Sequence, residues 1–167
     1  MNTEVFLGIG SNIKPRENIA SILAILKQRC NNLIISPIYQ SPALGFDGDA
    51  FLNLVVKFNY NDSLDSLRKW LYQMENQHDG NVDGPRYQPR TLDLDLLLFG
   101  DLIEINSEYE IPRSDITKFA FVLKPLVDIA PDLVHPQLQL SMSQLWAQSK
   151  LQAFPLHKIS LATSAID

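Results

Sequence analysis

Apolar residues along this chain alternate between two periods. From Glu4 to Gly10 they run almost unbroken and stop at Gly10-Ser11-Asn12, as a buried strand ending in a turn does. Pro15 then opens a stretch in which Ile19, Ile22, Leu23 and Leu26 keep helical spacing. Leu33 to Tyr39 and Phe51 to Tyr60 are rich in branched and aromatic residues and read as strands, joined by the Pro- and Gly-containing loop Ser41 to Gly48. Ser63 is placed to cap a second helix that carries Leu64, Leu67, Leu71 and Met74 on one face and runs to about His78. Asp79 to Pro89 holds Gly80, Gly84, Pro85 and Pro89 and almost no aliphatic side chain, which predicts a surface loop of about eleven residues. Thr91 to Phe99 is a strand, Asp101 to Ile111 a short hairpin, Ile116 to Val127 a third helix, and Ser141 to Lys150 a small closing helix. Strand-helix-strand followed by strand-helix-strand is the order of a ferredoxin-like core, an α+β fold whose mainly antiparallel sheet carries helices on one face.

Length and charge narrow the functions this fold can serve. A chain of 167 residues fits one domain, 1–167, and can bury a core without disulfides or a structural metal. A net charge of -5 gives no basic face for nucleic acid. The longest apolar runs, such as Leu96 to Phe99, fall far short of the roughly 20 residues that span a bilayer. Met1-Asn2-Thr3-Glu4 has no basic n-region, so the reading is a cytoplasmic protein with no membrane partner. Cys30 is the single cysteine and reads as a structural thiol.

The sharpest chemical signal is Pro89-Arg90-Thr91-Leu92-Asp93-Leu94-Asp95-Leu96. Alternation along a strand sends the leucines to one face and both aspartates to the other. Two carboxylates at i and i+2 repel unless a cation lies between them, and magnesium suits such a pair because it completes its shell with water and substrate phosphates. Arg90 precedes the strand and Arg86 sits in the adjoining loop, so cations converge where a metal-bound polyphosphate needs them. The octapeptide alone also reads as a half-buried strand with a polar outer face. Phe51 and Asn53 share a face of their strand, a ring beside an amide that can stack on a flat heterocycle and read its edge; they equally fit a core ring and a strand-end polar residue. Phe119 and Phe121 also fit a plain core. Gly8-Ile9-Gly10-Ser11-Asn12-Ile13 lacks the third glycine of a dinucleotide fingerprint, and GxxxxGK[ST] and GxSxG motifs are missing. His78, His135 and His157 are too scattered for a zinc pattern.

Taken together, Ile9-Gly10-Ser11-Asn12, Tyr39-Gln40-Ser41-Pro42-Ala43-Leu44-Gly45, Phe51-Leu52-Asn53, Pro89 to Asp95, Phe121 to Leu126 and Ile129-Ala130-Pro131 resemble, in order, the motifs of 6-hydroxymethyl-7,8-dihydropterin pyrophosphokinase, the folate-pathway enzyme. The resemblance covers nearly the whole chain and implies a three-layer αβα sandwich around the ferredoxin-like core. It further implies a monomeric ATP-dependent pyrophosphokinase whose partners are small molecules. The pterin would lie between Phe51 and Phe121, with Asn53 and the segment holding Ser41, Pro42 and Leu44 reading its polar edge and Tyr87 as an aromatic lid. Asp93 and Asp95 would bind two magnesium ions, Arg90 would neutralise charge, and Glu75, Arg86, Arg90, Arg113 and Lys118 would face ATP.

The chain also departs from the family pattern. Gly80, Asn81, Val82 and Asp83 stand where relatives carry further basic residues, Tyr87 stands for a tryptophan, Arg113-Ser114 for His-Tyr, and Phe119 for an arginine. Arg113 and Lys118 restore part of that charge, although lysine cannot supply a bidentate fork. Two functions follow: a working enzyme with rearranged phosphate-binding cations, or a paralogue that binds pterin with weak or no transfer. Pterin-dependent AMP release separates them.

Overall fold

A computed structural model describes residues 2–42, 49–78 and 91–161. In chain order its elements are β1 (Thr3–Ser11), α1 (Pro15–Arg29), β2 (Asn31–Ile35), β3 (Ile38–Ser41), β4 (Phe51–Tyr60), α2 (Leu64–His78), β5 (Asp93–Phe99), β6 (Glu104–Ile105), β7 (Glu110–Ile111), α3 (Asp115–Lys118), α4 (Ala120–Ile129), α5 (Met142–Gln148) and β8 (His157–Ile159).

The unbroken apolar run at the N-terminus is central in the sheet, since β1 pairs antiparallel with β4 on one side and β5 on the other, and both of its faces are covered. The full order is β5-β1-β4-β3-β8, with β2 also on β4, which is the ferredoxin-like arrangement. On one face Ile19, Ile22 and Leu26 of α1 and Leu67, Leu71 and Met74 of α2 pack on Val5, Leu7, Ile9, Leu54, Val56, Phe58 and Leu94. Ser63 caps α2 as its sequence suggests, its hydroxyl accepting the Ser66 N–H at 3.1 Å. On the other face Ile116, Val122, Leu123, Leu126, Met142 and Leu145 of α3, α4 and α5 pack on Phe6, Val55, Leu97 and Leu98, which completes the αβα sandwich. A bulge links the two faces. Leu7 pairs with Leu96 and Phe6 with Leu98, so Leu97 is an extra residue, and both Leu97 and Leu98 turn toward α4.

Two sequence expectations need correction, and one strand is additional. Leu33 to Tyr39 is two strands rather than one, because Pro37 has no N–H to give; at Ser36 the backbone N–H bonds to the Val55 carbonyl and the hydroxyl accepts the Val55 N–H, both at 2.9 Å. The helix expected over Ile116 to Val127 is broken at Phe119, whose backbone is extended (φ -127°, ψ 127°); apolar spacing runs straight through the break and so conceals it. The edge strand β8, paired with β3, carries no periodicity and was not anticipated. Among the described residues no helix is long and apolar enough to cross a membrane.

The turn between α4 and α5 is organised by His135, buried, with Nδ1 accepting the N–H groups of Gln137 (3.2 Å) and Leu138 (3.1 Å). That arrangement needs a neutral ring, and burial holds its pKa below the ordinary 6.5. As pH falls through 6.5 the unfolded chain takes up this proton before the folded chain does, so the stability contributed by neutral His135 is present above that value and lost below it. Thermal melts are expected to fall in Tm between about pH 7 and 5, with a flatter slope in His135→Asn, whose amide oxygen accepts the same N–H groups without titrating.

Candidate active site

Residues paired directly across a sheet share a face, so the register locates the site. Tyr39 pairs with Asn53, Asn53 with Gly10, and Gly10 with Asp93; on one flank Ser41 pairs with Phe51, and on the other Gly8 pairs with Asp95. Ser41, Phe51, Asn53, Asp93 and Asp95 therefore all lie on the face that carries Phe6, Val55 and Leu97 beneath α4 and α5. Gly8 and Gly10 place bare backbone between the amide and the aspartates. A β-carbon on Gly10 would lie 2.8 Å from Asn53 Oδ1, so the Asn53 side chain leans over that glycine. Its Nδ2 donates to Ser41 Oγ at 3.1 Å, and both residues are buried.

The turn after β1 fastens this end of the sheet. Asn12 Nδ2 donates to the Asp49 carbonyl at 3.1 Å, and the Ser11 hydroxyl lies against the carbonyls of Ile13 and Thr91, so one turn holds the chain entering both β4 and β5. β5 is an edge strand, and its outward N–H at Leu94, between the two aspartates, is taken by Glu75 Oε2 at 2.8 Å.

α4 crosses above the floor. It follows α3, which begins beside Arg113, and ends where Asp128 receives the Tyr39 hydroxyl on β3 and the Lys124 ammonium at 2.9 Å. Burial, together with the Asp128 carboxylate it bonds, pushes the Tyr39 pKa well up, so the phenol keeps its proton and the tie between helix and strand persists at physiological pH. Phe121, half-buried in the first turn of α4, stacks on Phe119 with ring centroids 5.0 Å apart and planes 19° from parallel.

Cations and acids converge beside Asp95. The Arg113 N–H donates to the Leu97 carbonyl at 3.0 Å, which sets its side chain alongside β5. Arg113 Nη2 is 3.5 Å from Asp95 Oδ1, and Nε donates to Asp115 Oδ2 at 3.1 Å. Lys118 is exposed, its ammonium 3.2 Å from Ser114 Oγ. Glu110 accepts the Ser114 N–H, and hydrogen bonding from Ser114, with Lys118 and Arg113 nearby, holds its carboxyl below the usual range. A cleft of about 580 Å³ opens next to Asp95, between α2, β5 and the β6–β7 hairpin, lined among others by Leu71, Glu75, Leu96, Tyr109, Ile111 and Arg113.

Among the described residues, then, the fold gathers Ser41, Phe51, Asn53, Asp93 and Asp95 on one sheet face, sets Glu75 and Arg113 beside it, and leaves Pro42 exposed next to Ser41. Leu44, Arg86, Tyr87 and Arg90 lie outside the described residues. Asp115 and the glycine pair were not foreseen as site residues. The signal for the glycines was present, because two glycines at i and i+2 in a central strand mark a close approach. No three His, Cys, Asp or Glu side chains among the described residues converge on one point. Two aspartates, with no third carboxylate, imidazole or thiol joining them among the described residues, fit a magnesium ion that takes its remaining ligands from water and phosphate better than a closed structural site.

Residues 6–131 match the family described as 7,8-dihydro-6-hydroxymethylpterin-pyrophosphokinase. The 2-amino-4-hydroxy-6-hydroxymethyldihydropteridine pyrophosphokinase of Pseudomonas aeruginosa is 37% identical over 144 residues, covering 81% of this chain and 86% of that protein; its Haemophilus influenzae counterpart is 36% identical over 139 residues, with the same coverage. The Dictyostelium discoideum folic acid synthesis protein FOL1 is 32% identical over 146 residues, 86% of this chain, which spans only 22% of that longer protein. Among solved structures, the wild-type Plasmodium falciparum HPPK-DHPS with pterin and p-hydroxybenzoate superposes with a TM-score of 0.63 at 13% identity, covering 89% of this chain and 43% of that one, a likeness of fold. With three quarters of its length matched, this chain belongs to the 7,8-dihydro-6-hydroxymethylpterin-pyrophosphokinase family.

Proposed function

We propose that the protein transfers the pyrophosphoryl group of ATP to the hydroxymethyl group of 6-hydroxymethyl-7,8-dihydropterin, releasing AMP, as a step of folate synthesis. The observation that carries this reading is the one sheet face that Asp93 and Asp95 share with Phe51 and Asn53, where the backbone of Gly10 lies between Asn53 and Asp93 and that of Gly8 beside Asp95. That floor admits a flat ring at one end and a charged tail at the other.

In this reading Asn53 and Ser41, with the chain through Pro42 and Leu44, bind the polar edge of the pterin, while Phe51 and Phe121 enclose its faces and Tyr87 closes over it. ATP enters the cleft beside Asp95, near Glu75, with Arg86, Arg90, Arg113 and Lys118 as its cations. Asp93 and Asp95 would hold two magnesium ions, whose charge neutralises the polyphosphate and aligns it with the pterin alcohol. The hydroxymethyl oxygen bonds to the β-phosphorus, the bond from that phosphorus to the α,β-bridging oxygen breaks, the hydroxyl proton passes to water, and AMP leaves. The protein contributes position and charge, and residues 1–167 act as one pyrophosphokinase-like domain.

The test is AMP release from ATP and magnesium with and without the pterin. Release that requires the pterin is the expected result. Pterin binding without AMP formation would replace this reading with that of a binding paralogue.

A further inference from the structure

We infer that Arg113 is a resident counter-cation of the aspartate pair: its guanidinium neutralises Asp95 before a metal arrives, and Asp115 keeps hold of it when that carboxylate is surrendered, turning the freed nitrogens to the polyphosphate.

Three contacts on three sides of Arg113 carry this. Its backbone is tied to β5 through the Leu97 carbonyl at 3.0 Å, so its root cannot leave the strand. Nε is engaged by Asp115, which is nearly buried at the start of α3, at 3.1 Å. Nη2 faces Asp95 Oδ1 at 3.5 Å, the longer and looser of the two ion pairs, in a site where both side chains are about one quarter exposed. A guanidinium presents its donors in a rigid fork, so holding Nε fixes the plane in which the terminal nitrogens can turn from one acceptor to another. Asp115 is thus a positioning residue that acts through Arg113. Lys118 is less suited to this work, since it is a point charge on an exposed stem resting on Ser114 Oγ.

The consequence is a reversal of sign. A divalent ion alone must displace the guanidinium from Asp95 and then sit beside its positive charge, so Arg113 opposes it. The same ion arriving with a polyphosphate brings oxygens that the freed nitrogens accept, so Arg113 favours it. The site therefore discriminates against bare metal and for the metal-nucleotide. This second half rests on the function proposed above; the first does not.

Manganese, followed by electron paramagnetic resonance, serves as the probe on the full chain. Arg113→Gln is expected to bind Mn²⁺ alone about 3- to 10-fold more tightly than wild type, and Mn²⁺ with α,β-methylene-ATP about tenfold or more weakly. Arg113→Lys keeps the charge and is expected to retain the wild-type affinity for Mn²⁺ alone, which guards against a loss of folding in the glutamine variant. Mn²⁺ affinity that is unchanged or weaker in Arg113→Gln, or equally tightened in both variants, would overturn the inference. Mn²⁺ binding that persists at wild-type affinity in Asp95→Asn would overturn the metal reading of the aspartates as well, so the two failures are told apart.

Discussion

Replacing Asp95 with alanine is expected to remove pterin-dependent AMP release, lowering kcat/KM by about 10³-fold or more, while the fold stays intact. The side chain stands on an edge strand, about a quarter exposed, and is part of neither hydrophobic core. Its strand pairs with Gly8 through the backbone and is fixed next door by Glu75 on the Leu94 N–H. Alanine therefore leaves the sheet in register and removes one of the two carboxylates that would hold magnesium. The Arg113 ion pair, long at 3.5 Å, is lost at the same time, but the guanidinium keeps its closer partner Asp115 at 3.1 Å. Steady-state AMP release beside a thermal melt checks this. Activity within tenfold of wild type would show that Asp95 does not carry the metal, and a collapsed Tm would show that its role is structural.

Gly10→Ala has the second largest expected effect, on the pterin rather than on the metal. The new β-carbon would stand 2.8 Å from Asn53 Oδ1, closer than real side-chain carbons approach, so the Asn53 amide must move. It cannot move freely, being buried and donating to Ser41 Oγ. Loss of one buried hydrogen bond costs about 1–3 kcal/mol, which corresponds to roughly 5- to 150-fold in KM for the pterin if the same amide binds it. KM for ATP should change little, since Gly10 neighbours Asp93 by backbone alone. Gly8→Ala is the control, because its β-carbon would meet Leu97 at an ordinary 3.6 Å. Equal effects on both substrates would contradict the division of the floor into a pterin end and a metal end.

Local signals carried most of the fold. Turn chemistry and the change from one apolar period to the other located β1, α1, β4, α2, the small hairpin and α5, and the order of these elements gave the sheet. The errors fall where tertiary contacts override local pattern. Ser36 and Pro37 interrupt a branched, strand-like run because the Ser36 hydroxyl, in place of a backbone carbonyl, accepts the Val55 N–H beside a proline with no N–H to give, and Phe119 interrupts a helical spacing that apolar residues on both sides preserve. At the site, alternation alone placed Asp93 and Asp95 on one face, and the bulge at Leu97 begins only after them, so the inference was safe. Arg113 illustrates the limit of such reading. The family resemblance implies a phosphate-facing cation and nothing more; that it bridges Asp95, eighteen positions earlier, and Asp115, two later, follows from the backbone bond between Arg113 and Leu97. The Gly8–Gly10 lane was in plain view but became meaningful only with the register that sets Asn53 beside it.

The central claim is that this site moves two phosphates at once from ATP to a pterin alcohol, and phosphorus nuclear magnetic resonance of the products tests it most directly. With ATP, magnesium and 6-hydroxymethyl-7,8-dihydropterin, the expected spectrum gains AMP and a diphosphate ester in equal amounts as ATP disappears. ADP with a pterin monophosphate, or ATP unchanged over many hours with the pterin bound, would contradict it.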